Sequence, residues 1–399
     1  MKLGLEKLLD DGGLQQALLG KRIGIVGHPA SVTAGMVHSL DALMSVDGLQ
    51  ISAAFGPQHG MRGDKQDNMV ESPDYLDPRH QIPVFSLYGD TRRPTPAMMD
   101  HCDVILFDVQ DIGCRIYTYA TTLLYMLEAC MLARKPLWVL DRPNPAGRPV
   151  EGTLLQPGWE SFVGAAPILM RHGITLGEMA RWYAKHFNMD IDLHIITMEA
   201  YHPHDTPGYG WPPELAWVNP SPNASSLNMA RCFPGTVLLE ATQLSEGRGT
   251  TIPLEVVGAP DIDIQHILTK MEQLAPQWLR GMLLRPCYFE PTFHKHTGKL
   301  CQGLQIHTDT PRYRHEIFKP FRFMCLFLKS LRLLDPHYNL WRKHAYEYEQ
   351  NRLPMDLING GPFIREWIDD PQATPTDLEQ RLKHDEQIWK EQIQEILLY

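Results

Sequence analysis

Acids, amides, arginines and histidines that could exchange protons or hold a polar ligand gather in four short segments: FGPQHGMRGDKQ from residue 55, FDVQDIGCRIYTY from 107, LDRPNPAGRPVEG from 140 and LLEATQLSEGRGTT from 238. The first offers Gln58, His59 and Arg62 among glycines that permit tight turns. The second supplies Asp108, Asp111, Arg115 and Tyr117, and the third Asp141, Arg142, Asn144 and Glu151. The fourth sets Glu240, Glu246 and Arg248 among small residues. Taken singly, each has an equally good structural role, since an aspartate at a strand end caps the next helix and an arginine pairs with it. Their convergence is what marks a site.

That convergence depends on the elements before each segment. Short apolar runs at 22–27, 49–55, 83–88, 103–108 and 137–141 are nearly continuous in Val, Ile, Leu and Phe, the pattern of strands covered on both faces. Helical spacing at 34–44 and 121–132 lies between them. A helix beginning near Thr175, with Glu178 placed for a capping box, precedes a sixth strand at 193–198. The expected fold is therefore α/β, a doubly wound, mostly parallel sheet with its ligand crevice beyond the carboxyl ends of the strands. Residues 201–234, rich in Pro, Gly, Trp, Asn and Ser, read as irregular chain. A boundary there divides the protein into residues 1–225 and a smaller α+β unit, 226–399, with a strand at 303–308 and helices at 318–333 and 377–398. The cleft between the units is the expected site.

Composition narrows the function. The formal charge of -10 gives no electrostatic reason to bind nucleic acid. Seven scattered cysteines without a CxxC pair suit reduced thiols, and neither HExxH nor another metal-ligand spacing occurs, so no metal is expected. The turn after the first strand, GHPASVT, lacks the glycine fingerprint that cradles a pyrophosphate, and no cofactor is expected. Polar residues interrupt the first 27 positions before a signal-peptide core forms, and no run reaches the roughly 18 apolar residues of a membrane span. A cytoplasmic protein without membrane insertion is the expectation; oligomeric state is left open.

In their order along the chain the four segments, with RHGITLGE from 171, SPN at 221 and PGTVLLEATQLSEGRGTT from 234, resemble the NamZ-type exo-β-N-acetylmuramidases. The resemblance spans about residues 23–308, with an echo at LPMDLINGG from 353. It implies a Rossmann-like N-terminal domain, a C-terminal auxiliary domain, and release of N-acetylmuramic acid from the non-reducing end of peptidoglycan-derived glycans. A cytoplasmic member would act on wall fragments, in recycling. One position departs: the family's GPEHG loop reads GPQHG, so Gln58 stands where a catalytic carboxylate is expected, and an amide cannot serve as general acid or base.

Glu246 or Glu151 is then the candidate acid, with Asp108 and Asp111 as base or orienting partners. Gln58, His59, Arg115, Tyr117, Asp141, Asn144, His172 and Asn223 are candidate sugar contacts. Arg62, Arg142 and Arg248 are candidates for a bidentate hold on the lactyl carboxylate of a muramic sugar. The competing reading is a non-catalytic binder of amino-sugar or wall fragments that has lost the family glutamate.

Overall fold

The computed structural model describes residues 1–63, 65 and 70–399. Its strands are β1 (Arg22–Val26), β2 (Gln50–Gly56), β3 (Tyr75–Leu76), β4 (Pro83–Ser86), β5 (Val104–Phe107), β6 (Leu137–Leu140), β7 (Glu151–Leu154), β8 (Leu169–Arg171), β9 (Leu193–Ile196), β10 (Val256–Ala259), β11 (Leu283–Phe289) and β12 (Cys301–His307). The helices are α1 (Gly4–Asp10), α2 (Gly12–Leu18), α3 (Ser39–Met44), α4 (Pro96–Met99), α5 (Tyr119–Ala133), α6 (Leu176–His186), α7 (Leu227–Thr236), α8 (Ile264–Leu274), α9 (Pro320–Leu334), α10 (Pro354–Asn359), α11 (Phe363–Asp369) and α12 (Pro375–Ile393).

The six expected strands of the first half join one seven-stranded sheet in the order β3-β4-β2-β1-β5-β6-β9, parallel except for the short edge strand β3. All four residues of β5 and of β6 are buried, which is why their sequences are unbroken apolar runs. From β1 the chain winds outward through β2 and β4 and then returns to β5 on the other flank of β1. The winding direction therefore reverses beside β1, and loops leaving β1, β2 and β5 part there to leave a crevice. Thr175 and Glu178 form the expected capping box at the start of α6.

Two elements differ from expectation. The helix expected over 34–44 begins only at Ser39, because Val32 bridges to His38 and the His38 side chain caps the helix by accepting from the Leu40 N–H. Within the segment expected to be irregular, α7 starts at Leu227, capped by Ser226, and keeps Pro234 in its last turn.

In the second half an antiparallel sheet, β10-β12-β11, packs with α8 and α9. The halves are not separate cores. Ile112, Ile116 and Met170 share an apolar cluster with Phe233, Leu304 and Phe323. The last helix, α12, returns to the first half: Trp389 packs against Trp182, its indole N–H donates to the His172 carbonyl at 2.8 Å, and Asp385 accepts from the Leu154 N–H. No described helix is long and apolar enough to cross a membrane.

Candidate active site

At the crevice, β2 runs into a turn that only glycine permits. A Cβ on Gly56 would lie 2.6 Å from the Met61 backbone nitrogen, and Gly60 has φ +76°. This turn carries Gln58 and His59 into a narrow cavity of about 40 Å³, lined also by Tyr117 and Thr118 after β5, Ser221 and Asn223, Met229 and Phe233 of α7, and Glu240, Arg248, Tyr346 and Glu347 from the second half. Tyr119 holds the wall together, its hydroxyl donating to the Pro220 carbonyl at 2.7 Å.

The Gln58 amide is oriented by two partners. Its oxygen accepts from the Thr118 hydroxyl at 2.6 Å, and its nitrogen donates to Glu347 Oε1 at 3.1 Å. The other Glu347 oxygen accepts from the Tyr88 hydroxyl at 2.7 Å. Burial pushes the Glu347 carboxyl above its usual range, outweighing the bonds from Tyr88 and Gln58. A second carboxylate, Glu240, accepts from Arg248 at 2.7 Å and from the Tyr346 hydroxyl at 2.6 Å. The cavity thus holds two carboxyls in different environments, one shifted upward by burial and the other ion-paired to a guanidinium.

Positive φ occurs at twelve described non-glycine residues, some at this cavity and most elsewhere. Glu347 and Tyr348 lie at φ 44° and 71°, and His59 at φ 70°, in the left-handed region that side chains with a Cβ avoid. Such strain, costing about 1–3 kcal/mol per residue, persists where surrounding structure over-determines it and clusters at functional sites.

Of the residues expected from sequence, Gln58, His59, Tyr117, Asn223 and Arg248 line this cavity. The remaining candidates hold the framework behind it. Glu246 is buried and meets Lys295 at 2.6 Å, Arg248 at 3.1 Å and His294 at 3.4 Å. Burial raises its affinity for a proton, but these cations outweigh burial and hold the carboxyl at about 2, so it has no proton to donate near neutrality. Glu151 accepts from the Phe321 and Arg322 N–H groups and anchors the N-terminus of α9 to β7. Neither residue is among those that line the cavity.

Asp108 and Arg142 form a buried two-bond pair at 2.6 and 2.8 Å, which occupies the face of Arg142 expected to grip a carboxylate. Asp111 accepts from the Gly113 N–H and meets His172 at 3.2 Å. Asp141 accepts from Thr175 and Gly177 at the start of α6. Asn144 bonds to Ala146 and Ile174, and Arg115 donates to the carbonyls of Thr153, Ile168 and Ile358. Arg62 is exposed, with its guanidinium 4.4 Å from the centre of the Tyr75 ring. Asp64 and Gln66 of the same segment lie outside the described residues.

The model of the N-terminal domain of exo-β-N-acetylmuramidase NamZ matches residues 23–228, and that of its C-terminal domain matches residues 231–399. The chain belongs to the NamZ family. It is 40% identical over 324 residues to the peptidoglycan β-N-acetylmuramidase NamZ of Bacillus subtilis (strain 168), covering 80% of this chain and 75% of that protein. Two crystal structures of DUF1343 family proteins from Bacteroides fragilis NCTC 9343 superimpose over the whole chain and 98% of their own length, at 27% identity with a TM-score of 0.85 and 26% with 0.71.

Reading the segments in isolation missed Glu347, which is 289 positions from Gln58, in AYEYE. The available signal was its position just before LPMDLINGG, the C-terminal echo of the family pattern.

Proposed function

We propose that this protein is an exo-acting glycoside hydrolase that releases N-acetylmuramic acid from the non-reducing end of peptidoglycan-derived glycans, with Glu347 as its proton donor. The observation that carries the assignment is the contact between Gln58 and the buried Glu347, whose carboxyl burial shifts above its usual range. The carboxyl absent from the GPQHG loop is thereby supplied to the same cavity from another part of the chain. Its presence favours hydrolysis over the non-catalytic reading.

In this mechanism Glu347 gives its proton to the glycosidic oxygen as the bond from that oxygen to the sugar's anomeric carbon breaks. Glu240 stabilises the positive charge that develops on the ring, and water adds to the anomeric carbon, directly or by opening the ring that the substrate's acetamido oxygen first closes there, giving up its proton to a cavity carboxylate. Arg248, paired with Glu240 and Glu246, is assigned to orienting Glu240 on the cavity wall. We also place the enzyme in the cytoplasm, acting on imported wall fragments; recovery of the protein outside the cytoplasm on cell fractionation would remove that placement.

The test is aglycone release from a chromogenic N-acetylmuramide and from its N-acetylglucosaminide counterpart. Wild type is expected to prefer the muramide, and Glu347→Gln to lose about 10²–10⁴ in kcat with little change in KM. Stability provides a second readout. A carboxyl whose folded pKa is raised contributes fully below its unfolded pKa and loses that contribution as pH rises through the folded value. Glu347→Gln should therefore gain melting temperature relative to wild type above neutrality and not near pH 4. Wild-type turnover that Glu347→Gln leaves intact would assign the proton to another group.

A further inference from the structure

Helix α7 has a second hollow on its far side. Met229 and Phe233 face the active-site cavity, whereas Leu227 and Arg231 line an open groove of about 640 Å³. Residues two apart on a helix point about 200° from one another, so this one helix is a wall of both spaces. Small-ligand pockets occupy roughly 300–1,000 Å³, and the groove is therefore roomy enough for a substituted sugar.

The groove's other walls are aromatic. Trp211 and Trp217 lie with ring centres 5.0 Å apart, and Tyr209 stands edge-on to Tyr313 at 5.9 Å. Trp217 and Tyr209 are half-buried and so present ring surface beside water. Arg231 is 6% exposed and donates to the carbonyls of Gly208 at 2.8 Å and Thr308 at 3.3 Å, yet its Nε has no hydrogen-bond partner. Its guanidinium lies 4.8 Å from the centre of the Tyr313 ring, and among the described residues it forms no ion pair. The acidic lining residue, Asp309, is exposed and meets His307 at 3.4 Å. A buried guanidinium without a counter-ion is costly, and a ligand carboxylate would offset that cost.

We propose that this groove binds a carboxylate-bearing saccharide, its carboxylate on Arg231 and its ring face against Trp217, as a site for a second muramic unit outside the catalytic cavity. Naming a muramic unit rests on the proposed function; the requirement for an anion rests on Arg231 alone.

Calorimetric titration of the full chain with N-acetylmuramic acid tests the site. Two equivalents are expected in the wild type and one in Arg231→Met and in Trp217→Ala. N-acetylglucosamine, which lacks the carboxylate, should fill the groove at least tenfold more weakly. Release from the chromogenic muramide should stay within twofold of wild type in both variants, because neither residue lines the catalytic cavity. Trp217→Ala, at a half-buried position, carries the result should Arg231→Met fail to fold. A single equivalent in the wild type, or two retained in Trp217→Ala, overturns the proposal. Two equivalents in a chain that cleaves no muramide would support the groove while removing the proposed reaction.

Discussion

An amide at position 58 cannot exchange a proton near neutrality, yet its nitrogen donates to a carboxyl whose ionisation burial disfavours. This arrangement makes the effect of restoring a glutamate calculable in sign. In Gln58→Glu two carboxyl oxygens would stand near 3.1 Å apart, where both cannot ionise readily. One proton would then be shared and retained to higher pH, as in a carboxyl dyad. The alkaline limb of the kcat profile should move up by about one pH unit or more, equivalent to about 1.4 kcal/mol. An unmoved limb would show that positions 58 and 347 are not coupled in the working enzyme.

At the scale of elements, the SEGRG turn shows how a reactive-looking cluster can be architectural. Gly247 and Gly249 adopt φ of 79° and 84°, turning Glu246 inward onto Lys295 and His294 from the loop between β11 and β12. Glu246 thereby fastens that loop to the turn carrying Arg248, while Arg248 reaches forward to Glu240 in the cavity. Removing one partner of a buried ion pair leaves the other charge uncompensated and costs about 3–5 kcal/mol. Glu246→Gln should lower stability by that amount in denaturant unfolding at pH 7, while the folded fraction keeps turnover within about tenfold of wild type. A general acid would show the reverse, a collapsed kcat with stability retained. Because the folded carboxyl sits near 2, below its unfolded value, the wild-type contribution is present above about pH 4.5 and fades as pH falls toward 2.

Across the whole molecule, the cavity requires both halves, with β2 and β5 supplying Gln58 and Thr118 and the second half supplying Glu240, Arg248 and Glu347. The continuous apolar core through Ile116, Phe233 and Phe323, together with α12 packed on β7, binds these parts as one body. We expect a fragment ending at residue 225 to fail to fold, since it would expose the underside of β7 and β8 and leave Arg115 without the Ile358 carbonyl. The full chain should melt in a single calorimetric transition. Two resolved transitions, or a folded 1–225 fragment, would restore independent domains.

Much of this was legible in residues alone. The existence of β1, β2, β4, β5, β6 and β9 follows from apolar runs of strand length, because a buried parallel strand must be apolar on both faces. The crevice-facing loops were recognisable from their glycines and polar residues, and the family from their order. Roles within those loops were not. Asp108, Asp141, Glu151 and Glu246 have the composition of catalytic acids, but whether a carboxyl keeps a proton depends on which cations, N–H groups and apolar surfaces surround it. Those neighbours, among them Lys295, Arg322 and Arg142, arrive from distant parts of the chain. For the same reason only the tertiary structure could bring Glu347 to Gln58: proton affinity is a property of an environment, and folding assembles that environment from segments whose separation along the chain carries no information about their distance in space.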